Sequence, residues 1–184
     1  MAIYPESDAL YSWSMKTLTI LGQAKASIQY DDRPTVKVVI FDGDNVLIMN
    51  GGTLPGGGIN FAEDNNKAVR RELSEEIGAS IGDATELGSV IQFRDFLSKK
   101  YIVYGYVADL VQLDRSSASP EEYEIDFTFE WVRRDDVVTY IENAISKHTK
   151  AYPELKNDAE QGRLFNLQTS LVIVTAALNI VRSA

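Results

Sequence analysis

Hydrophobic residues recur with a helical period in one stretch of the chain, residues 62–77. Val69, Leu73 and Ile77 are spaced four residues apart, and the stretch contains neither glycine nor proline. This spacing predicts a helix with one buried stripe. Gly78 follows directly, as glycine commonly does at the C-terminus of a helix. The sequence therefore predicts an amphipathic helix that ends at Ile77.

Other segments have the composition or the two-residue period of β-strands. The strands are predicted at residues 35–41, 46–49, 88–93, 101–110 and 122–131. The first two are separated by a turn at 42–45 and form a hairpin. The last alternates aromatic and acidic side chains, which predicts a half-buried strand with an acidic outer face.

Weaker patterns predict the remaining elements. The helices are predicted at residues 13–24, from Asp135 or Asp136 to about Lys147, and at 164–181, with a strand at 27–30. Residues 94–100 and 111–120 are interpreted as loops. The predicted fold class is α/β, with a mixed β-sheet, the helix at 62–77 on one face and the C-terminal helices packed elsewhere.

Three carboxylates share one end of the predicted helix. Glu72 and Glu76 are one turn apart, and Glu75 lies beside them at the three-residue spacing. Each repulsive pair, and each negative charge near the helix C-terminus, costs up to about 1 kcal/mol. A divalent cation such as Mg²⁺ would compensate, since it prefers oxygen ligands. A solvated acidic face is the alternative.

The spacing of the residues before this cluster favours the metal site. Five residues separate Gly57 from Glu63, seven separate Glu63 from Arg71, and RELSEEIG follows. Residues 57–79 thus resemble the signature of the Nudix hydrolases, with every fixed polar and glycine position filled. Ala79 replaces the bulky aliphatic residue usual at the last position. The resemblance implies a Nudix-type α/β/α sandwich.

The resemblance also implies roles for individual residues and a metal cofactor, Mg²⁺ or Mn²⁺. The implied metal ligands are the main-chain carbonyl of Gly57, the side chains of Glu72, Glu75 and Glu76, and, outside the motif, Glu130 or alternatively Glu124. Glu63 and Arg71 resemble the structural pair of the family, in which the arginine orients carboxylates. Glu75 or Glu72 would be the general base that activates water.

The implied substrate is a nucleoside diphosphate derivative or a nucleoside triphosphate, cleaved at its diphosphate linkage. Arg94, Lys99 and the nearby Lys100 are the candidates for holding phosphates, and Phe96 is a candidate for stacking on a base. A solvated turn explains the cations equally well, and core packing explains the aromatic ring. A nucleotide-binding sensor and an RNA-end pyrophosphohydrolase remain alternative functions.

Composition bounds the class of protein. With 184 residues, no cysteine and a formal charge of −9, the chain is predicted to form one globular unit without disulfides or a broad DNA-binding surface. An N-terminal extension, residues 1–34, is predicted to precede a Nudix domain at 35–184. No membrane span and a cytoplasmic location are expected. Dimers are common in the family, so a homodimer is left open.

Overall fold

The central element of the computed structural model, which describes residues 16–120 and 126–181, is a mixed β-sheet. Among these residues, seven strands contribute to it: β1 (Thr17–Leu21), β2 (Asp31–Asp42), β3 (Asn45–Met49), β4 (Ala79–Ile81), β5 (Thr85–Arg94), β6 (Lys99–Leu113) and β7 (Phe129–Arg133). The strand order is β1-β5-β6-β2-β3-β7, and β4 pairs with the far end of β6. The pairs β1–β5 and β2–β6 are parallel, and the others are antiparallel.

Helices cover both faces of this sheet: α1 (Asn65–Ile77) on one face, and α2 (Val137–Ala151) with α3 (Asp158–Val181) on the other. Alternate residues of β2 contribute to the two cores. Val36 and Val38 pack with the buried face of α1, whereas Val39 and Phe41 pack with α2 and α3. Because both faces are covered, β2 carries the nearly continuous apolar run that is typical of such strands. The predicted α/β/α sandwich is confirmed.

The β2–β3 hairpin opens beyond its turn, and this opening positions the glycine-rich loop, which contains Gly56, Gly57 and Gly58. The two strands pair only at Phe41–Val46 and Asp42–Asn45. Further along, the chain that leaves β3 returns beside β2, where Val36 N–H donates to the Gly57 carbonyl at 2.9 Å. Gly56 has φ 116°, and a Cβ there would lie 2.4 Å from the Val36 oxygen. Only glycine fits this close approach.

Helix α1 begins later than the sequence pattern predicts but ends where predicted. Ala62 has a φ of 62°, which is left-handed and cannot belong to the helix. The chain turns at Ala62, and the Asp64 side chain caps the helix by accepting from Lys67 N–H at 2.9 Å. Gly78, at φ 65°, closes the other end with its N–H on carbonyls of the last turn.

The prediction for residues 13–30 was wrong in the part that the structure describes. Thr17–Leu21 forms an edge strand, not a helix, because its backbone pairs in parallel with β5. Residues 27–30 are not a strand. Residues 13–15 lie outside the described part of the chain. The split into an extension at 1–34 and a domain at 35–184 stays a prediction, although β1 joins the sheet and β2 starts at Asp31.

The later elements are found with shifted ends. Strands β5 and β6 are longer than predicted because they pair with each other as far as Arg94 and Lys99. The loop predicted at 94–100 is reduced to a short 3₁₀ turn. Strand β7 covers only the end of the predicted alternating strand, and residues 121–125, which include Glu124, lie outside the described residues. Asp136 precedes α2 without a side-chain capping bond.

Helix α3 starts at Asp158, earlier than predicted, and is the one described helix that is long and apolar enough to cross a membrane. Length and composition alone do not distinguish such a segment from a core helix. Here Ile173, Val174 and Ala177 are fully buried in the core beneath the sheet. We therefore interpret α3 as a core helix.

Two glycines with similar backbone conformations provide a test of this packing. Gly78 and Gly43 have φ values of 65° and 55°, but a Cβ at Gly78 would lie 2.0 Å from the Asp114 oxygen, whereas one at Gly43 meets nothing within 4 Å. Gly43→Ala should cost about 1–2 kcal/mol of unfolding free energy, from backbone strain alone. Gly78→Ala should cost at least about 2 kcal/mol more. Urea unfolding measures both, and equal losses would contradict the packing at Gly78.

Candidate active site

Arg71, on the outer side of α1, connects the helix to the loop that precedes it. Its Nε and Nη2 donate to the two oxygens of Glu63 at 2.9 and 3.0 Å, which is the paired geometry that suits a guanidinium and a carboxylate. Nη2 also donates to the Gly58 carbonyl at 2.7 Å. The structure thus brings together the residues that the motif predicts as a structural pair.

The remaining nitrogen of Arg71 faces the carboxylate cluster. Nη1 lies 2.8 Å from Oε1 of Glu72 and 2.9 Å from Oε2 of Glu75. The Glu72 side chain is 10% exposed and that of Glu75 is 42% exposed. One guanidinium therefore contacts three carboxylates, of which Glu75 is the most accessible to solvent.

The glycine-rich loop contacts the same cluster from the side of the sheet. Gly56 N–H donates to Oε2 of Glu76 at 2.7 Å. A Cβ at Gly57 would lie 2.4 Å from Oε2 of Glu72, so the missing side chain leaves the space that the Glu72 carboxylate occupies. Lys37, on β2, donates its ammonium to the carbonyls of Leu54 and Gly56 and holds this loop against the strand.

Burial and the arginine shift the carboxyl pKa values in opposite directions. Hydrogen bonds from Arg71 lower the pKa of Glu63. Burial raises the pKa of Glu72, and repulsion from Glu76 and Glu75 adds to that shift, although Arg71 counteracts it. Burying an ionised carboxylate is costly when its partner does not fully compensate. Burying Glu72 in its ionised form therefore lowers the stability of the folded protein.

The donor types at the site suit a hard divalent cation. Glu72, Glu75 and Glu76 supply carboxylate oxygens beside the Gly57 carbonyl, and Mg²⁺ and Mn²⁺ prefer such oxygens. Among the described residues, however, no three acidic or histidine side chains already converge as a metal-binding group. The carboxylates are instead turned to Arg71 and Gly56. Binding a metal here requires some of these contacts to be exchanged.

The structure does not bring Glu130 to this cluster, contrary to the prediction that it is a metal ligand. Glu130 pairs across the strands with Ile48, whose side chain belongs to the core under α2 and α3. Its carboxylate accepts from the hydroxyl of Tyr140 on α2 and raises the pKa of Tyr140 to about 12. Strand alternation directs Glu130 to the face of the sheet opposite α1.

Arg94 is also placed differently from the prediction that it binds substrate phosphate. It is 7% exposed and lies between β5 and α3. Its guanidinium donates to Gln92 at 3.0 Å and to Asn166 at 2.7 Å, and it stacks 4.1 Å over the ring of Tyr101. Desolvation lowers its pKa. Arg94 therefore stabilises the packing of α3 on the sheet and is corrected to a structural residue.

The other predicted substrate contacts, Lys99 and Phe96, lie at the sheet end where β2 and β6 begin. Lys99 pairs with Asp31 at 2.9 Å, Lys100 pairs with Asp32 at 2.8 Å, and Phe96 is 50% exposed. Their contact with substrate stays a prediction.

Three residues around the site were missed by the sequence reasoning: Lys37, Arg33 and Phe61. Lys37 interrupts the apolar run of β2, and a charge within a buried strand is a signal that could have been used. Phe61 is fully exposed on the loop, and Arg33 lies against Gly58. Nothing in the local pattern distinguishes either of these two residues from an ordinary surface side chain.

Comparison with known families decides the classification. The model of the NUDIX domain matches residues 31–155 of the chain. The chain belongs to the NUDIX family. The predicted family and enzyme class, a Nudix pyrophosphohydrolase, are therefore confirmed. Nudix hydrolases generally use divalent metals and act on small nucleotide substrates.

Nudix proteins are among the solved structures that are similar to this chain. A NUDIX hydrolase from Nitrosomonas europaea is 18% identical, with a TM-score of 0.50 over 64% of this chain and 90% of that chain. A MutT NUDIX hydrolase from Burkholderia pseudomallei is 20% identical, with a TM-score of 0.45 over 74% of this chain and 98% of that chain. At 18% identity, the likeness to the Nitrosomonas europaea protein concerns the fold alone. No curated protein sequence matches the chain.

The pairing of Glu63 with Arg71 has a measurable pH dependence. Since the side chains are 13% and 25% exposed, Glu63→Gln should lower the unfolding free energy at pH 7 by about 1–3 kcal/mol. The pKa of Glu63 is lowered in the folded protein, so its contribution is complete above the unfolded value of about 4.3 and is lost as the pH falls through the folded value. The deficit of the variant should therefore shrink below pH 4.

Denaturant unfolding of both proteins from pH 7 to pH 3 measures this difference. Glu142→Gln is the matched control, because it makes the same charge change on the exposed face of α2 and should stay within about 0.5 kcal/mol of the parent. A Glu63→Gln deficit that is constant with pH would contradict the ion pair.

Proposed function

We propose that this Nudix protein hydrolyses the diphosphate linkage of a nucleoside diphosphate derivative or a nucleoside triphosphate, and that the reaction depends on Mg²⁺ or Mn²⁺. The single observation that carries the proposal is the cluster around Arg71. There one guanidinium joins Glu63 and Gly58 of the loop to two carboxylates of α1, Glu72 and Glu75, and Gly56 N–H binds a third, Glu76. These are oxygen donors of the type that a metal–diphosphate complex requires.

In this proposal the metal is held by the carboxylates of Glu72, Glu75 and Glu76 and by the carbonyl of Gly57. That carbonyl already accepts from Val36 N–H, but a carbonyl oxygen has a second lone pair for a cation. When bound, a divalent cation neutralises phosphate charge and lowers the pKa of a coordinated water. Glu130 is left out of the ligand set because it lies on the other face of the sheet.

Glu75 is the residue we assign as general base, with Glu72 as the alternative. A base must reach the water that attacks phosphorus, so it needs solvent access. The Glu75 side chain is 42% exposed, whereas that of Glu72 is 10% exposed and enclosed by the loop at Gly57. Glu75 can therefore accept the proton at the open side of the cluster, while Glu72 serves as an inner ligand.

Arg71 and Glu63 contribute to this reaction by positioning the carboxylates of α1. Glu63 engages two nitrogens of Arg71 and leaves Nη1 directed at Glu72 and Glu75. This cation offsets repulsion among carboxylates that would otherwise move apart. Arg71 is thus assigned as the residue that holds the ligands within one turn of helix, and Glu63 as the residue that orients Arg71.

The expected partner is a small nucleotide, and no DNA, membrane or obligatory homodimer is needed for the proposed reaction. A nucleotide sensor and an RNA-end pyrophosphohydrolase are the competing functions. Turnover of small substrates separates the enzyme from the sensor, and salt-dependent binding of RNA separates the two enzymes. Location in the cytoplasm stays a prediction.

Glu76→Gln should abolish metal-dependent cleavage, with a loss of at least about a hundredfold in kcat. The amide removes a charged metal ligand but keeps an oxygen that can accept from Gly56 N–H, so the fold should persist. Product release is measured over a panel of nucleoside diphosphate derivatives and triphosphates with Mg²⁺ or Mn²⁺. Circular dichroism and the urea midpoint report folding.

Glu142→Gln is again the control, since it removes a carboxylate from the exposed face of α2. A Glu76→Gln protein that keeps most of its activity would refute the assignment of Glu76. A parent protein that cleaves nothing in the panel, yet binds nucleotides, would replace the hydrolase proposal by the sensor function.

A further inference from the structure

Arg33, on β2, lies directly against the loop of the proposed active site. A Cβ at Gly58 would be 2.7 Å from Nη2 and 3.2 Å from Cζ of Arg33, so the guanidinium occupies space that only a glycine leaves open. The carbonyl of Gly58 accepts from Arg71 Nη2 at 2.7 Å. Gly58 is therefore next to two guanidinium groups, that of Arg71, which is half-buried in the carboxylate cluster, and that of Arg33, which is exposed to solvent.

Arg33 differs from its neighbours in having no acidic partner among the described residues. The adjacent acidic residues are already paired, Asp31 with Lys99 at 2.9 Å and Asp32 with Lys100 at 2.8 Å. Within residues 16–120 and 126–181, the structure records no ion pair or hydrogen bond of the Arg33 guanidinium. Its charge is thus available to a ligand.

Two other cations that contact this loop are already engaged. Lys37 donates to the carbonyls of Leu54 and Gly56, and Arg71 contacts three carboxylates. A diphosphate approaching a protein of charge −9 and a cluster of glutamates needs a local positive charge. The planar fork of an arginine suits phosphate oxygens better than a point charge does.

We propose that Arg33 binds a phosphate of the substrate at the edge of the site, and that Gly58 is required to let its guanidinium lie there. The inference rests on the proposed function, since it assumes a diphosphate at the carboxylate cluster. Arg33 sets affinity for the diphosphate, whereas the α1 carboxylates carry out the reaction. Its removal should therefore affect binding more than the chemical step.

Steady-state kinetics of Arg33→Gln, with Arg33→Lys and Lys147→Gln beside it, test this division. Losing a charge-assisted bond to phosphate should raise KM about 10- to 100-fold, with kcat within about threefold of the parent. Arg33→Lys should recover part of the loss because it keeps the charge without the fork. Lys147→Gln removes a cation from the exposed face of α2 and should leave KM unchanged. Unchanged KM in Arg33→Gln would overturn the proposal.

Gly58→Ala provides an independent route to the same effect. The new methyl group should displace the guanidinium and raise KM in the parent protein, but should raise it little further in Arg33→Gln, where no guanidinium remains. Fully additive effects of the two changes on KM would contradict the contact between Arg33 and Gly58. A merely structural role would lower the urea midpoint of Arg33→Gln, which should instead stay at the parent value.

Calorimetric binding of inorganic pyrophosphate in the presence of Mg²⁺ separates failure of this inference from failure of the proposed function. Weaker pyrophosphate binding by Arg33→Gln, in a protein that cleaves no nucleotide, would support the phosphate site and refute the hydrolase proposal. Cleavage by the parent with equal KM and equal pyrophosphate binding in the variant would refute the phosphate site alone. Absence of both cleavage and pyrophosphate binding in the parent would refute both.

Discussion

The site depends on one interaction, the guanidinium of Arg71 held between Glu63 of the loop and Glu72 and Glu75 of α1. The carboxylates lie near the C-terminal end of the helix, where the backbone dipole and mutual repulsion both oppose them. A positive charge on the same helix compensates over one turn. Because Glu63 fixes two of its nitrogens, Arg71 cannot turn away to solvent, and the acidic cluster stays compact.

The sheet makes this interaction possible by opening between β2 and β3. Backbone N–H groups of β2 donate to carbonyls of the loop that follows β3. These hydrogen bonds fix the position of the loop along β2, and therefore its position relative to α1. At each of the three glycines of the loop, a different neighbour leaves no room for a side chain. Gly56 faces the β2 backbone, Gly57 faces Glu72, and Gly58 faces Arg33. The three consecutive glycines are therefore fitted to three different neighbours, and flexibility alone does not explain them.

Local patterns predicted what depends on local geometry. The buried stripe of α1, its end at Gly78 and the proximity of Glu72, Glu75 and Arg71 follow from helical spacing, and the structure agrees with them. Positions set by distant segments were not predictable in this way. Arg94 follows the strand that the sequence predicts at 88–93, yet in the structure it ends β5 and is enclosed through its hydrogen bond to Asn166 of α3.

For Glu130, the sequence pattern did not determine on which face of the sheet the side chain lies. A strand directs successive side chains to opposite faces, so the predicted alternation was informative, but it does not say which face adjoins α1. That choice is made by register with β3, where Trp131 pairs with Leu47 of the α1 core. Glu130 must then face α2, where Tyr140 binds it. The position of Trp131 in the core under α1 therefore determines that Glu130 lies on the opposite face of the sheet, and the acidic character of the segment does not.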